Sequence, residues 1–334
     1  PTGNLHLGNY LGAIKNFVKL QDEGKDNLAY YCVVDLHAIT TWQEPKKLKA
    51  DILETAATFI AAGIDPNKCV IFNQSRVVYH AELAWILNCI CRIGWLNRMT
   101  QFKEKAGKNK EKVSVGLYTY PVLMAADILC YKANLVPVGQ DQKQHLELAR
   151  DIAQKFNNDY STDFFPEINP LILEGPKRIM SLRNGQKKMS KSDESDYSRI
   201  NIIDKKDDIV KKIKKAKTDS FNLMGVEALD SDDKFLLETI QKRPEAINLL
   251  QIYSCLSDAS LRNTLEEFGG KTFSDLKTKL SELVVEKISP IGNEVSKMLK
   301  DKNFITDILD KGAITANAEA KANLIDLKNI IGLI

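Results

Sequence analysis

Short apolar runs that alternate with helical patterns limit this chain to a layered α/β architecture. The apolar runs are residues 29–34, 69–72 and 135–138, and the helical patterns between and after them are residues 45–63 and 141–156. The first run (AYYCVV) is continuously apolar, aromatic or β-branched, as expected of a strand buried on both faces of a parallel sheet. The helix that follows it has proline at its start and glycine at its end. The alternation predicts βαβ units in a Rossmann-like, doubly wound parallel sheet, whose ligands bind at the carboxyl ends of the strands.

Beyond Ser192 the strand patterns give way to helical spacing. The predicted helices are residues 203–216, 232–241, 244–256, 273–287, 292–300 and 318–331, with breaks expected at Gly269-Gly270 and at Pro290 with Gly292. The 334 residues are enough for two cores. We therefore expect a Rossmann-like domain at residues 1–192 and an all-helical domain at residues 193–334. Because the chain starts at Pro1, the first strand of the sheet is expected upstream of it.

Composition excludes several classes of protein. A hydrophobic fraction of 44% and a charged fraction of 27% are ordinary for a globular protein, and no apolar run approaches the ~20 residues of a membrane helix. A net charge of +3 leaves the question of a nucleic-acid partner to the motifs. The 6 cysteines stand mostly in apolar runs without a Cys-x-x-Cys pair, which indicates buried thiols in a reducing compartment and no zinc or iron–sulfur site.

Two polar motifs near opposite ends of the sheet region suit a polyanion. Residues 186–193 (QKKMSKSD) place three lysines and two hydroxyls in one stretch just after Gly185. Taken alone, such a loop is more often a solvated surface turn. The second motif, His6-Leu7-Gly8-Asn9, leads into an amphipathic stretch over residues 10–20. There glycine lets a flat ring approach the backbone, and a helix N-terminus favours phosphate.

A third motif places a carboxylate on an otherwise apolar helix. Pro121 is typical of a helix start, and Tyr120, Met124 and Asp127 fall on one helical face at i, i+4 and i+7. A buried Asp127 needs a donor, and an indole N–H is one, whereas an Asp127 that points to solvent needs none. In the first case Met124 supplies a polarizable contact to the ring. The walls of that pocket are then Tyr120, Val136 and Val138.

Together these motifs resemble the bacterial tryptophanyl-tRNA synthetases, which are class I aminoacyl-tRNA synthetases. The similar segments are residues 8–13, 34–40, 98–103, 120–129, 138–146, 188–192 and 243–250. The resemblance implies ATP-dependent activation of L-tryptophan to tryptophanyl-adenylate and transfer to the 3′-terminal adenosine of tRNA(Trp). It also implies a cytoplasmic homodimer whose helical domain binds the tRNA anticodon, with neither a membrane nor DNA as partner.

The resemblance assigns roles to individual residues. The implied catalytic residues are His6, Lys188, Ser190 and Lys191. Those implied for ATP are Gly8, Asn9, Asp141, Lys188, Met189, Ser190, Lys191 and Ser192. Those implied for tryptophan are Tyr120, Met124, Asp127, Val136, Val138, Gln142 and His37, of which His37 is equally well explained as a structural histidine. Mg²⁺ is expected among the ATP phosphates, with no metal site on the protein, and His80 and His145 are expected to be structural.

Three other functions compete with this one. A tyrosyl-tRNA synthetase uses the same ATP loops but typically has glutamine where Met124 stands, which favours indole over phenol. A non-catalytic paralogue acting as an RNA-binding or regulatory protein would not need to keep Gly8, Asp127, Lys188 and Lys191. A nucleotidyltransferase that adenylates a small acid without tRNA would not need the helical region after Ser192.

Overall fold

The computed structural model describes residues 2–23, 28–99, 113–139, 143–172 and 178–334. Its strands are β1 (Tyr30–Val33), β2 (Val70–Asn73), β3 (Leu135–Val138), β4 (Asn169–Ile172), β5 (Met180–Ser181) and β6 (Asn184–Lys188). Its longer helices are α1 (Lys15–Glu23), α2 (Pro45–Ala61), α3 (Tyr79–Ile90), α4 (Val115–Leu129), α5 (Lys143–Asp159), α6 (Lys206–Lys214), α7 (Leu237–Lys242), α8 (Pro244–Ser257), α9 (Leu261–Phe268), α10 (Phe273–Met298) and α11 (Lys302–Ile331). No helix within these ranges combines the length and the apolar character needed to cross a membrane.

The strands confirm the predicted α/β class. Strand β1 pairs in parallel with β2, with Tyr30 opposite Val70, and α2 lies between them in the chain. Strand β3 pairs in parallel with β4, with Leu135 opposite Asn169, and α5 lies between those two. The third pair, β5 with β6, is an antiparallel hairpin. Beyond it the described chain is helical, as the sequence predicts.

Helix α2 shows how local sequence sets the bounds of an element. The side chain of Glu44 caps the helix by accepting hydrogen bonds from the backbone N–H groups of Lys46 (3.1 Å) and Lys47 (2.6 Å). Pro45 occupies the first helical position, where its missing N–H costs nothing. The chain leaves the helix at Gly63, whose φ of +113° few other residues adopt.

Helix α4 begins earlier than predicted. Pro121 lies inside the helix rather than at its start, because Ser114 caps the helix by accepting from Leu117 N at 3.3 Å. The proline therefore removes one internal hydrogen bond without ending the helix. Tyr120, Met124 and Asp127 still follow one another at helical spacing, and the side chain of Asp127 is only 14% exposed.

Helix α10 runs through the break predicted at Pro290 and Gly292, so that prediction is wrong. Residues on both sides of the proline, Ile288 and Val295, are fully buried in the core, and this packing holds the helix together. The break predicted at Gly269-Gly270 is confirmed, since α9 ends there and Gly270 has a φ of +77°.

The last helix, α11, returns to the parallel strands. A Cβ atom on Gly312 would lie 1.9 Å from the carbonyl oxygen of Ile71, so the helix backbone rests directly on β2. The amide of Asn317 donates to Arg76 O at 2.8 Å, and the amide of Asn323 donates to Cys130 O at 3.0 Å. Helix α11 therefore packs against β2 and the segments beside it, although the predicted helical domain at 193–334 includes it. The predicted boundary at residue 192 stays a prediction.

Candidate active site

The His6-Leu7-Gly8-Asn9 motif forms a tight turn at the start of the helical segment that runs from Leu7 through Ile14 into α1. Leu7 N donates to Ile200 O at 2.8 Å, and the side-chain oxygen of Asn9 accepts from His6 N at 3.1 Å. A Cβ atom on Gly8 would lie 3.1 Å from two atoms of the His6 ring. Glycine at this position therefore leaves room for the His6 ring against the turn.

His6 is buried as a neutral ring. Only 5% of the residue is exposed, and Nδ1 has no hydrogen-bond partner within the described part of the chain. Burial, reinforced by the charges of Lys191, Arg199 and Lys188, lowers the pKa of His6 to about 4. The ring is thus neutral at physiological pH and lies in a positive environment, which suits a site for an anion.

The lysine loop, which we define as residues 188–192, extends from the β5–β6 hairpin. Met189 anchors the loop because its side chain is buried and its N–H donates to Ile179 O at 2.9 Å. The hydroxyls of Ser190 and Ser192 lie 2.8 Å apart. The guanidinium of Arg199 donates to Asp193 O at 3.0 Å and holds the far end of the loop.

A single amide joins this hairpin to helix α8. Asn248 is 2% exposed, its Oδ1 accepts from Met180 N at 2.8 Å, and its Nδ2 donates to Met180 O at 2.9 Å. Met180 is the hairpin partner of Lys188. The amide therefore fixes the strand from which the lysine loop starts.

The two polar motifs lie next to each other. Cδ of Lys191 lies 3.5 Å from the position of a Cβ atom on Gly3, just ahead of the His6 turn. Lys188 and Lys191 are both close enough to lower the pKa of His6. Desolvation also lowers the pKa of Lys191, although solvent still reaches its side chain. The arrangement brings ammonium groups, a neutral histidine and a helix start to one place.

Asp127 accepts three hydrogen bonds from side chains of the described residues. Oδ1 accepts from Gln74 Nε2 at 2.6 Å and from His80 Nδ1 at 2.6 Å. Oδ2 accepts from His37 Nε2 at 2.9 Å. A carboxylate has room for about four such bonds, so Oδ2 can still take one from a substrate.

The carboxylate stays ionised despite its position. Burial alone would raise the pKa of Asp127, but the hydrogen bonds from His37 and His80 outweigh burial and lower it. The side chain is 14% exposed, so it does not face bulk water. The group is an ionised acceptor with little contact to solvent.

Aromatic and amide groups surround this carboxylate. The ring centroids of His37 and Tyr120 are 6.1 Å apart, and Tyr120 Oη lies 2.8 Å from Nε2 of His145. Oε1 of Gln74 accepts from the backbone N–H groups of Leu36 (3.1 Å) and His37 (3.4 Å). The carboxyl ends of β1 and β2 are thereby joined to α4 beside Asp127.

The other predicted site residues are placed in part. Met124 and Val136 are half-buried, and Val138 is buried in the core. Asp141 and Gln142 lie outside the described residues, so their predicted roles stay predictions. Within the described ranges no cluster of three or more His, Cys, Asp or Glu side chains could hold a metal ion.

Sequence reasoning missed three residues of this region, Gln74, Arg199 and Asn248, and it missed the direct bond from His80 to Asp127. The position of Gln74 was a usable signal, because it directly follows β2, where ligands bind in parallel sheets. Nothing local marks Asn248, since its partner Met180 lies 68 positions away. The partner of Arg199 at Asp193 is only 6 positions away, but the segment between them has no regular spacing from which the contact could be predicted.

Comparisons with known proteins place the chain in one family. The model of the family "tRNA synthetases class I (W and Y)" matches residues 1–288. The tryptophan–tRNA ligase of Brucella melitensis is 52% identical over 351 residues, which cover 99% of this chain and 95% of that protein. The tryptophan–tRNA ligase of Rickettsia bellii is 48% identical and is covered to 96%.

Solved structures give the same result. The tryptophanyl-tRNA synthetase of Campylobacter jejuni, solved with ADP and tryptophan, is 32% identical with a TM-score of 0.78, covering 99% of this chain and 97% of that one. The tyrosyl-tRNA synthetase of Archaeoglobus fulgidus shares the fold at 19% identity, with a TM-score of 0.65 and coverage of 88% of this chain and 87% of that one.

Proposed function

The chain belongs to the class I tRNA synthetases of the tryptophan and tyrosine family, and from that membership and the site geometry we propose that it is a tryptophan–tRNA ligase. It activates L-tryptophan with ATP to tryptophanyl-adenylate and transfers the amino acid to tRNA(Trp). The observation that carries the choice of tryptophan is the ionised Asp127, which shares a helical face with the thioether of Met124.

In the activation step a carboxylate oxygen of tryptophan attacks the α-phosphorus of ATP. The bond from that phosphorus to the bridging oxygen breaks, and pyrophosphate leaves with the bonding electrons. Lys188 and Lys191 of the lysine loop meet the charge that gathers on the leaving group, with Ser190, Ser192 and the backbone at Met189 beside them. His6, Gly8 and Asn9 hold the nucleotide from the opposite side, and Asp141 contacts its ribose.

The amino acid side chain lies against α4. Asp127 accepts the indole N–H, and Tyr120, Met124, His37, Val136 and Val138 surround the ring, while Gln142 reaches the polar end of the substrate. Support comes from Oδ2 of Asp127, which takes one hydrogen bond from the described side chains and has room for a second. In the second step a ribose hydroxyl of the 3′-terminal adenosine of the tRNA attacks the carbonyl carbon, and AMP leaves.

Mg²⁺ belongs with the nucleotide rather than with a protein cage. No cluster of metal-ligating side chains lies in the described parts of the chain, so the ion would be held mainly by phosphate oxygens. There it would neutralise part of the phosphate charge. The protein contributes the ammonium groups of Lys188 and Lys191 to the same task.

The helical region after residue 192 contacts the tRNA, including its anticodon. The exposed lysines of α6 and of the segment after it, among them Lys211, Lys214 and Lys215, suit a phosphate backbone. Lys212 is not one of them, because it is buried in ion pairs with Asp196 (2.6 Å) and Asp204 (2.5 Å). We place the enzyme in the cytoplasm, where tRNA is charged, and all its cysteines are free thiols.

We also propose that the enzyme is a homodimer. Six large apolar side chains are exposed on neighbouring segments: Ile39, Trp42, Val78, Trp85, Ile93 and Val115. Ser114 Oγ donates to Thr40 O at 2.9 Å, and Tyr118 Oη donates to Ile93 O at 3.4 Å, which joins the segments of Trp42, Ile93 and Val115. Helix α3, which carries Trp85, packs against α4 beside them. An exposed apolar area of this kind marks a protein interface more often than a free surface.

Aminoacylation of tRNA tests the proposed function. Full-length protein is incubated with ATP, labelled tryptophan or tyrosine, and transcripts of tRNA(Trp) or tRNA(Tyr). Labelled tryptophan should appear on tRNA(Trp) alone. Charging of tRNA(Tyr) with tyrosine would point to the other member of the family, and no charging of either would point to a paralogue without catalytic activity.

A further inference from the structure

A histidine that the mechanism above does not use is bonded to the inner side of Asp127. His80 has 0% exposure, and its Nδ1 lies 2.6 Å from Oδ1 of Asp127. Its other nitrogen, Nε2, lies 2.7 Å from the hydroxyl of Tyr131, a residue that is also buried. Asp127, His80 and Tyr131 therefore form a hydrogen-bonded row that leads from the substrate side into the core.

The two ends of this row, Tyr131 and Asp127, determine which nitrogen of His80 carries the proton. Burial raises the pKa of Tyr131 well above its usual value, so the phenol keeps its proton. Tyr131 then donates to Nε2 of His80, and the ring proton must stand on Nδ1. From there it is donated to the carboxylate of Asp127, which is ionised and can only accept.

Tyr131 is itself held in place by aromatic packing. Its ring stacks on that of Tyr30 with centroids 4.5 Å apart and meets Phe72 edge-on at 5.9 Å. The hydroxyl of Tyr30 is bonded to Glu319 on α11. The row is thus anchored in the sheet and in the last helix, which limits its freedom to reorganise.

This arrangement divides the two oxygens of Asp127 between the protein and the substrate. His80 and Gln74 both donate to Oδ1, which faces the core. Oδ2 is left on the side of His37, whose side chain is 18% exposed. A mobile water in place of His80 would let the carboxylate rotate, whereas a donor held by the protein does not.

We propose that His80 is a positioning residue that keeps Oδ2 of Asp127 turned toward the ring N–H of the amino acid, and that it thereby selects tryptophan against ring systems of the same shape without an N–H. The inference rests on the proposed function, because it concerns how the same site recognises its substrate. It adds a specificity residue that contacts no substrate atom.

The test compares tryptophan with β-(benzothiophen-3-yl)alanine, which replaces the indole N–H by sulfur and keeps the bicyclic shape. The rate of ATP–pyrophosphate exchange gives kcat/KM for each compound, and their ratio reports the recognition of the N–H alone. In the wild type the ratio should be roughly 10 or more, as expected for a hydrogen bond to a charged acceptor.

Three variants and a control separate positioning from folding. His80→Ala should lower the ratio roughly tenfold, and His80→Asn, which keeps a donor near the place of Nδ1, should restore most of it. Tyr131→Phe removes only the hydroxyl that fixes the ring proton and should lower the ratio about threefold. The matched control is Tyr253→Phe, because the Tyr253 hydroxyl is bonded to Glu267 in the helical region and its loss should leave the ratio unchanged.

The outcomes are distinct. The KM for ATP should stay within about twofold in every variant, since the nucleotide side of the site is not altered. Equal losses for both compounds, or an unchanged ratio in Tyr131→Phe, would overturn the positioning role while leaving the proposed function intact. If the wild type did not activate tryptophan at all, the proposed function itself would fail.

Discussion

At the scale of single residues, the proposed choice of substrate depends on a carboxylate that remains ionised at a nearly enclosed position. The hydrogen bonds from His37 and His80 outweigh the cost of burial at Asp127 and lower its pKa, and Gln74 donates a third bond. A buried carboxylate without such donors would take up a proton instead. The same donors leave one accepting position on Oδ2, which the proposed function assigns to the substrate.

Replacing this carboxylate by an amide should weaken the use of tryptophan. Asp127→Asn keeps the shape but has one accepting oxygen, so its N–H₂ group must face a donor. We expect kcat/KM for tryptophan in pyrophosphate exchange to fall roughly 10- to 150-fold, equivalent to about 1.5–3 kcal/mol, with little change in the KM for ATP. Asp232→Asn on an exposed turn is the control. Unchanged tryptophan kinetics would remove Asp127 from this role.

Burial of neutral His6 should make stability depend on pH. The ring has a pKa of about 4 in the folded chain and an ordinary value of 6.5 when unfolded, so the unfolded state binds more protons between these values. The contribution of neutral His6 to the free energy of unfolding is fully present above pH 6.5 and is lost as the pH falls toward 4. Urea denaturation at pH 7 and pH 4.5 gives the loss of unfolding free energy over this interval. We expect this loss to be about 2 to 3 kcal/mol smaller in His6→Gln than in the wild type. An equal loss of unfolding free energy in both proteins would contradict the burial of His6 as a neutral ring.

Some of these residue-scale features can be predicted from the sequence. Tyr120, Met124 and Asp127 could be placed on one face because helical spacing is a local property. The bonds from Gln74 and His80 to Asp127 span 53 and 47 positions in the chain, so only the fold brings them together. His80, which the sequence analysis expects to be structural, is therefore bonded to the carboxylate of Asp127.

At the scale of elements, the β5–β6 hairpin connects the helical region with the lysine loop. Asn248 on α8 binds the hairpin strand, and Arg199 holds the chain just beyond the lysine loop. The loop itself is anchored by the buried Met189 and exposes its charged groups. A movement of α8 would therefore be transmitted to the lysines.

Removing a lysine from this loop should slow the reaction while leaving tryptophan binding intact. Lys191→Ala is expected to lower the rate of pyrophosphate exchange at least 100-fold, because its ammonium would stabilise the leaving pyrophosphate. Lys187→Ala is the matched control on the same hairpin, since its side chain is exposed. If the exchange rate of Lys191→Ala stayed within about twofold of wild type, the loop would not have this function.

The elements also show where sequence patterns succeed and fail. The strand at 135–138 was predicted to the residue, because the apolar run is too short for a helix. Pro121 and Pro290 were interpreted as helix boundaries but lie inside α4 and α10. In α10 buried side chains on both sides of the proline offset the lost hydrogen bond, and such packing cannot be seen in a local pattern.

At the scale of the whole molecule, the last helix of the chain returns to the parallel strands. Helix α11 lies at the end of the sequence yet packs on β2 through Gly312. A boundary predicted at residue 192 from the change to helical spacing cannot reveal that α11 packs on β2, because this helix has ordinary amphipathic spacing. The hydrogen-bonded row of Asp127, His80 and Tyr131 also leads to this helix. Tyr131 stacks on Tyr30, whose hydroxyl is bonded to Glu319 on α11.

The exposed apolar segments lead to a prediction about assembly. Trp85 is 72% exposed on α3, and a glutamate there would place a charge in the proposed dimer interface. Sedimentation of Trp85→Glu should show a shift from dimer toward monomer. Leu237→Glu, at an equally exposed site on α7, should leave the dimer unchanged. A monomeric wild type would contradict the proposed assembly.

The most direct measurement is ATP–pyrophosphate exchange by the full-length protein, with each of the twenty amino acids supplied in turn. We expect exchange with tryptophan at a rate far above that with any other amino acid, and loss of that preference in Asp127→Asn. Exchange driven by tyrosine instead, or by no amino acid, would contradict a site in which an ionised carboxylate selects an indole beside a nucleotide.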